Sequence, residues 1–125
     1  MSVMQHYYFP TTEVGLVGPR ILAPMQNAPV DEAMVQRALP SINYQVAVAD
    51  AHLSQNTFFA AEQPSLADFY QQVCWWAVWF TPEGQSLINQ YPNLKRWLGF
   101  MMSRSSAKAT ACLGEESALR LLVDG

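Results

Sequence analysis

Between Pro64 and Phe80 the chain runs Pro-Ser-Leu-Ala-Asp-Phe-Tyr, then Gln71-Gln72, then an apolar block from Val73 to Phe80 that holds Trp75, Trp76 and Trp79. Ser65 is a good N-cap residue, because its hydroxyl can accept from an unpaired amide of a first helical turn. Asp68 stands three residues later, where a carboxylate can bond back to the amide of the cap; the pair forms a capping box with Asp in the place of Glu or Gln. Behind this start signal Leu66, Phe69, Tyr70, Val73, Trp76, Ala77 and Phe80 recur at helical spacing, while Cys74, Trp75, Val78 and Trp79 make the far side apolar as well. A helix that is apolar on both sides needs cover on both. The stretch predicts a central, buried helix wrapped by others.

The chain has 125 residues, which is the size of one domain, taken as 1–125, and enough to bury roughly two-thirds of the surface an unfolded chain exposes. Half of the residues are hydrophobic and the net charge is −3, from seven basic and ten acidic residues. That balance excludes the composition of a disordered chain and gives no nucleic-acid footprint. The longest apolar block, Val73 to Phe80, is far short of the ~20 residues that span a bilayer, and the N-terminus lacks a basic region ahead of an apolar core. No membrane partner is expected, and the cytoplasm is the expected compartment. Cys74 and Cys112, the two cysteines, have neither metal-ligand nor redox-pair spacing, so Cys74 is expected to be a small buried thiol.

Helical spacing continues on either side of the central stretch. From Val3 to Met25 the apolar residues fit a helix better than a strand, but Pro10, Gly15, Gly18, Pro19 and Pro24 predict that it is kinked or broken. Asp31 and Glu32 place negative charge at a helix start, and Met34, Val35, Ala38, Leu39, Ile42, Val46, Ala49 and Leu53 form one stripe behind them. Pro40 predicts a kink in that helix. Ser54 to Thr57 ends it, and Thr57 to Gln63 leads into the central one. Thr81-Pro82-Glu83 reads as a cap with Pro at the first helical position. Leu94, Trp97, Leu98, Met101 and Met102 share one face of the next helix. Ser105 to Cys112 is a further short piece, and Gly114 separates it from a terminal helix with Leu119, Leu121 and Leu122. No segment alternates with the period of a strand, so the expected fold is all-α, a bundle of five to six helices.

A family resemblance enters at these residues. The run Phe58-Phe59-Ala60-Ala61-Glu62-Gln63-Pro64-Ser65-Leu66-Ala67-Asp68-Phe69 resembles the segment entering the central helix of the all-helical C-terminal domain of glutathione transferases, where a Ser/Thr-x-x-Asp box caps that helix. Tyr91-Pro92-Asn93-Leu94-Lys95-Arg96-Trp97-Leu98, followed by Met101-Met102-Ser103-Arg104, resembles a later helix of the same domain. The resemblance is clearest from about Gln45 to Ala109. One position departs from it: the family usually has Gly four residues before the cap, and here that residue is Ala61, which would be strained in a left-handed backbone.

Residues that might carry chemistry are few. Asp50 and His52 are two apart on a helix and point to different faces, which argues against a base and its orienting carboxylate. His6, Tyr7 and Tyr8 are candidates for the border of a hydrophobic pocket. Lys95, Arg96, Arg104 and Lys108 form a candidate anion-attracting surface, although a solvated helix face is the commoner explanation of such a cluster. Gly15-Leu16-Val17-Gly18 lacks the remainder of a phosphate loop. Ser65 and Asp68 are assigned to capping, each contributing about 1 kcal/mol. No catalytic residue and no metal site is identified.

In the family the resemblance points to, glutathione is held mainly by a thioredoxin-like N-terminal domain, which also supplies the residue that stabilises the glutathione thiolate. No segment here corresponds to it, so the resemblance implies that glutathione is a cofactor only together with such a domain. Three readings stay open. The chain acts by association, as a homodimer or with a protein partner covering an open helical face; or it is the helical half of a split or truncated transferase, supplying a hydrophobic substrate wall; or it carries an apolar small molecule between its helices.

Overall fold

The computed structural model describes residues 4–104, 107 and 115–124, with side chains described from residue 10 onward apart from 13, 115–118 and 124. All regular structure among the described residues is helical: α1 (Met4–Leu22), a further turn at Ala23–Met25, α2 (Glu32–Gln55), α3 (Leu66–Trp79), α4 (Pro82–Asn89), α5 (Pro92–Met102) and α6 (Glu115–Asp124).

Of the kinked or broken helix that the prolines predict, the structure excludes the break. Met4–Leu22 is one continuous helix wound in the wide π form, with Pro10 and Pro19 inside it. Each proline removes one donor and crowds one carbonyl, and the flanking residues carry the helix past both. It ends after Met25 in a Schellman arrangement: the Ala28 amide donates to the Ala23 carbonyl at 2.8 Å and the Asn27 amide to that of Pro24 at 3.2 Å. Asn27 takes the left-handed backbone this motif requires, at φ 53°, a conformation that Asn tolerates better than most side chains. Among the described residues no other non-glycine has a positive φ; Ala61 therefore sits in an ordinary backbone, and its turn is unstrained.

Helix α2 starts on Asp31, whose carboxylate accepts from the Met34 amide at 3.1 Å. Val35, Ala38, Ile42, Val46, Ala49 and Leu53 are its buried edge. The element continues through Pro40, which is exposed together with Gln36, so the carbonyl that loses its donor lies on the wet side. Against α1 the approach is close: a β-carbon added at Gly15 would come within 2.5 Å of the Ala38 β-carbon. Arg20 then ties three elements together, bonding Glu32 at the start of α2 and Glu83 at the start of α4. The hydrogen bond to Arg20 holds the Glu32 carboxyl below its usual range, and the two carboxylates hold the guanidinium above its own.

In α3 only one of the two apolar sides is covered. The buried residues are Asp68, Cys74, Trp75, Trp76, Val78 and Trp79. Leu66, Phe69, Tyr70, Val73 and Phe80 are exposed, Val73 by 71% and Leu66 by 69%. The helix is not wrapped. Periodicity showed two apolar sides without ranking them, and the side carrying two fully buried indoles won the core, as the larger apolar area should. Helices α4 and α5 keep to expectation, and the short piece expected over Ser105 to Cys112 lies outside the described residues apart from 107. Thr81 caps α4 by accepting from the Gly84 amide at 3.0 Å, and Leu94, Trp97, Leu98, Met101 and Met102 are the buried face of α5. Leu122 of α6 closes the core. Among the described residues no helix is long and apolar enough to cross a membrane.

Candidate functional site

Asp68 is fully buried, and the structure gives its carboxylate four donors. Oδ2 accepts from the Ser65 amide at 3.0 Å and the Ser65 hydroxyl at 3.1 Å; Oδ1 accepts from the Phe59 amide at 3.0 Å and the Trp97 indole at 2.9 Å. The capping box at the start of α3 thus also anchors the preceding loop and α5. The Phe59 ring lies edge-on to Trp97 at 4.8 Å, which closes the same junction with apolar contact. All lone-pair directions of Asp68 are engaged by donors of the protein itself.

Asp50 and His52 do not meet. Asp50 crosses to the start of α5, a helix whose own N-cap, Tyr91, supplies no side-chain bond. Its carboxylate accepts from the amides of Asn93 at 2.8 Å and Leu94 at 3.0 Å. In return Arg96 of α5 donates to the Leu53 carbonyl in the last turn of α2 at 3.2 Å. Each helix caps the other, anion at the N-terminus and cation at the C-terminus, as the helix dipoles favour. His52 turns instead to the loop, with Nε2 2.7 Å from the Phe59 carbonyl and its ring stacked on that of Phe59.

Of the four candidate cations, three lie among the described residues, each in a different setting. Arg96 is held by Leu53, and Arg104 lies over the Phe69 ring at 5.2 Å, with its buried Nη1 lacking any hydrogen-bond partner. Lys95 is half-buried. Lys108 lies outside the described residues, as do the side chains of His6, Tyr7 and Tyr8, whose backbone belongs to the first turns of α1. Among the described residues no group of His, Cys, Asp and Glu could hold a metal ion.

What the structure does assemble is apolar. The exposed stripe of α3 borders a cavity of about 550 Å³ between α1, α3 and the end of α5, lined among others by Val17, Ile21, Gln72, Trp76, Phe80 and Met102. That volume lies within the range of small-molecule sites. Trp76 and Phe80 form an aromatic corner, with centroids 5.1 Å apart at 78°. Val17 and Ile21 were legible only as helical residues, and Gln72 only as one of two polar residues interrupting an apolar helix. The pairing of α1 with α3 that brings them together is long-range and left no local signal.

The model of the glutathione S-transferase C-terminal domain matches residues 14–105 of this chain. The chain belongs to the glutathione S-transferase family. Glutathione S-transferase 1 of Zea mays is 28% identical over 98 residues, which are 78% of this chain and 45% of that protein. The probable glutathione S-transferase GSTF2 of Oryza sativa subsp. japonica is 27% identical over 113 residues, 90% of this chain and 52% of that protein. The chain spans about half the length of the curated relatives it matches. Among solved structures, glutathione S-transferase III in its apo form superposes with a TM-score of 0.79 at 24% identity, covering 86% of this chain and 49% of that one. Glutathione S-transferase I bound with lactoylglutathione gives 0.76 at 22% identity, covering 95% and 52%. Those likenesses concern the fold, which is that of the family's helical domain.

Proposed function

We propose that this chain is the substrate-side helical half of a glutathione transferase, inactive alone and active when a thioredoxin-like half covers α3. The observation that carries the reading is the stripe of Leu66, Phe69, Tyr70, Val73 and Phe80, large apolar side chains left exposed along one helix. Such a patch marks an interaction surface. The relatives are about twice as long as the matched region, so a second half of similar size is the natural cover. The chemistry asks for it as well. A thiol near its free pKa of about 8.5 is mostly protonated at neutral pH, and the described lining of the cavity carries no charged group to hold a thiolate. The cavity is suited to the other reactant, an apolar electrophile. We place the protein in the cytoplasm, a reducing compartment that suits the buried Cys74 thiol.

The test joins this chain to the N-terminal half of the maize relative and compares it with the chain alone, by light scattering and by conjugation of a standard aromatic electrophile to glutathione. The joined protein should turn over and the chain alone should not. Val73→Asp, at a site 71% exposed, should leave the fold intact and abolish turnover of the joined protein. Turnover by the chain alone would refute the division of labour. A stable dimer of the chain, dissolved by Val73→Asp, would make a second copy the occupant of α3 and association its role.

A further inference from the structure

Two side chains in the described lining of the cavity beside α3 can make directed polar contacts, the Gln72 carboxamide and the Trp76 indole N–H, and of the two only the carboxamide offers both a donor and an acceptor. Gln72 stands among apolar neighbours, and among the described residues its carboxamide makes a single hydrogen bond, from Nε2 to the Met102 sulfur at 3.1 Å. A thioether is a weak acceptor. Whichever way the amide is turned, its other end has no hydrogen-bond partner among the described residues. Arg104, just past the end of α5, lies over the Phe69 ring. An empty cavity can supply water to that end. A hydrocarbon filling the cavity removes the water and replaces it with nothing, and a half-buried amide left unpaired is unfavourable. A ligand with one hydroxyl or carbonyl restores the bond. This is the asymmetry by which a polar group in an apolar site rejects the analogue that cannot bond to it.

We propose that Gln72 makes this cavity selective for aromatic ligands carrying one hydrogen-bonding oxygen, the rings against Trp76 and Phe80 and the oxygen on the Gln72 carboxamide. The inference rests on the reading of the cavity as the substrate wall and adds the class of substrate. The experiment is equilibrium dialysis of the full chain against naphthalene and 1-naphthol, for the parent, Gln72→Leu and Met102→Leu. Gln72→Leu should shift the preference toward naphthalene by about threefold to tenfold, the fold-change of one hydrogen bond. Met102→Leu, which releases Nε2 from the sulfur, should shift it toward 1-naphthol. Gln72→Met, close to glutamine in length, replaces the leucine variant if circular dichroism shows that one to be unfolded. Binding of both ligands with the same preference in parent and Gln72→Leu would overturn the role of Gln72 and leave the wall standing. Binding of neither ligand would overturn the wall and the selectivity together.

Discussion

Removing the Asp68 carboxylate tests how the loop, α3 and α5 are held together. If Asp68 were only a cap, Asp68→Ala would cost about 1 kcal/mol. The structure predicts more. The substitution strands the Trp97 indole N–H, on a residue 1% exposed, and the Phe59 amide, in addition to the Ser65 amide at the cap. A buried donor left unpaired costs about 1–3 kcal/mol, and bonds to a charged acceptor contribute about 1.5–3 kcal/mol each. Two stranded donors and a lost cap, offset in part by no longer burying a charge, give about 3–4 kcal/mol. For a domain of this size that is a fall in Tm of roughly 10–15 °C. Urea unfolding followed by tryptophan fluorescence and by far-UV circular dichroism measures it. Ser65→Ala, which removes one hydroxyl, is the reference at about 1 kcal/mol. A double-mutant cycle with Trp97→Phe, which keeps a ring and loses the N–H, should show a coupling of about 1–2 kcal/mol. If Asp68→Ala costs no more than Ser65→Ala, the carboxylate is a cap alone and the account of the junction is wrong.

Asp50→Ala should cost about 1–2 kcal/mol although it lies inside α2, because it uncaps α5; a thermal melt matching the parent would contradict the cross-capping. Two glycines should behave oppositely. A β-carbon at Gly84 would sit 1.9 Å from the Val78 carbonyl oxygen, whereas at Gly99 its nearest neighbour is Val123 Cγ2 at 3.7 Å. Gly84→Ala should therefore destabilise by about 3 kcal/mol or more, and Gly99→Ala should be neutral or stabilise by about 0.5–1 kcal/mol through helix propensity, both read by urea midpoints. The Glu32 carboxyl is held lower in the folded chain by its bonds from Arg20. Its contribution is thus complete above the unfolded value of about 4.3 and fades as pH falls through the folded one. Tm followed from neutral pH down to about 3 should drop less for Glu32→Gln than for the parent over that acid limb, and added salt should shrink the difference because the pair is exposed.

Local grammar was legible wherever one residue acts on its own neighbourhood. The box of Ser65 and Asp68, the Thr81-Pro82 start and the buried edges of α2 and α5 are all set by spacings of three and four residues, and spacing survives in a sequence. Asp50 and Arg96 show where that ends. Their partners are 43 residues away along the chain, and nothing near Asp50 distinguishes a carboxylate that caps a distant helix from one in water. Asp68 shows both cases at once: its bond to Ser65 follows from the motif, whereas its bonds to Phe59 and Trp97 follow from the fold. Gln72 belongs to the second kind, since its role depends on α1 and Met102 arriving beside it.

The two apolar sides of α3 carry the functional argument further than either side alone. A helix that needed one covered side would place polar residues on the other; here Leu66, Tyr70 and Val73 stand where such residues would be, and they are 69%, 58% and 71% exposed. Burying a side chain of that kind contributes about 1.5–3 kcal/mol, so covering the stripe is favourable enough to hold a second body in place. The indole side of the same helix is already buried by the described residues. On the proposed reading this chain packs against one side of α3, and the thioredoxin-like half against the other. A joined protein in which Leu66, Tyr70 and Val73 stayed as open to hydrogen–deuterium exchange and surface labelling as in the chain alone would break that link between a two-sided helix and a two-part enzyme.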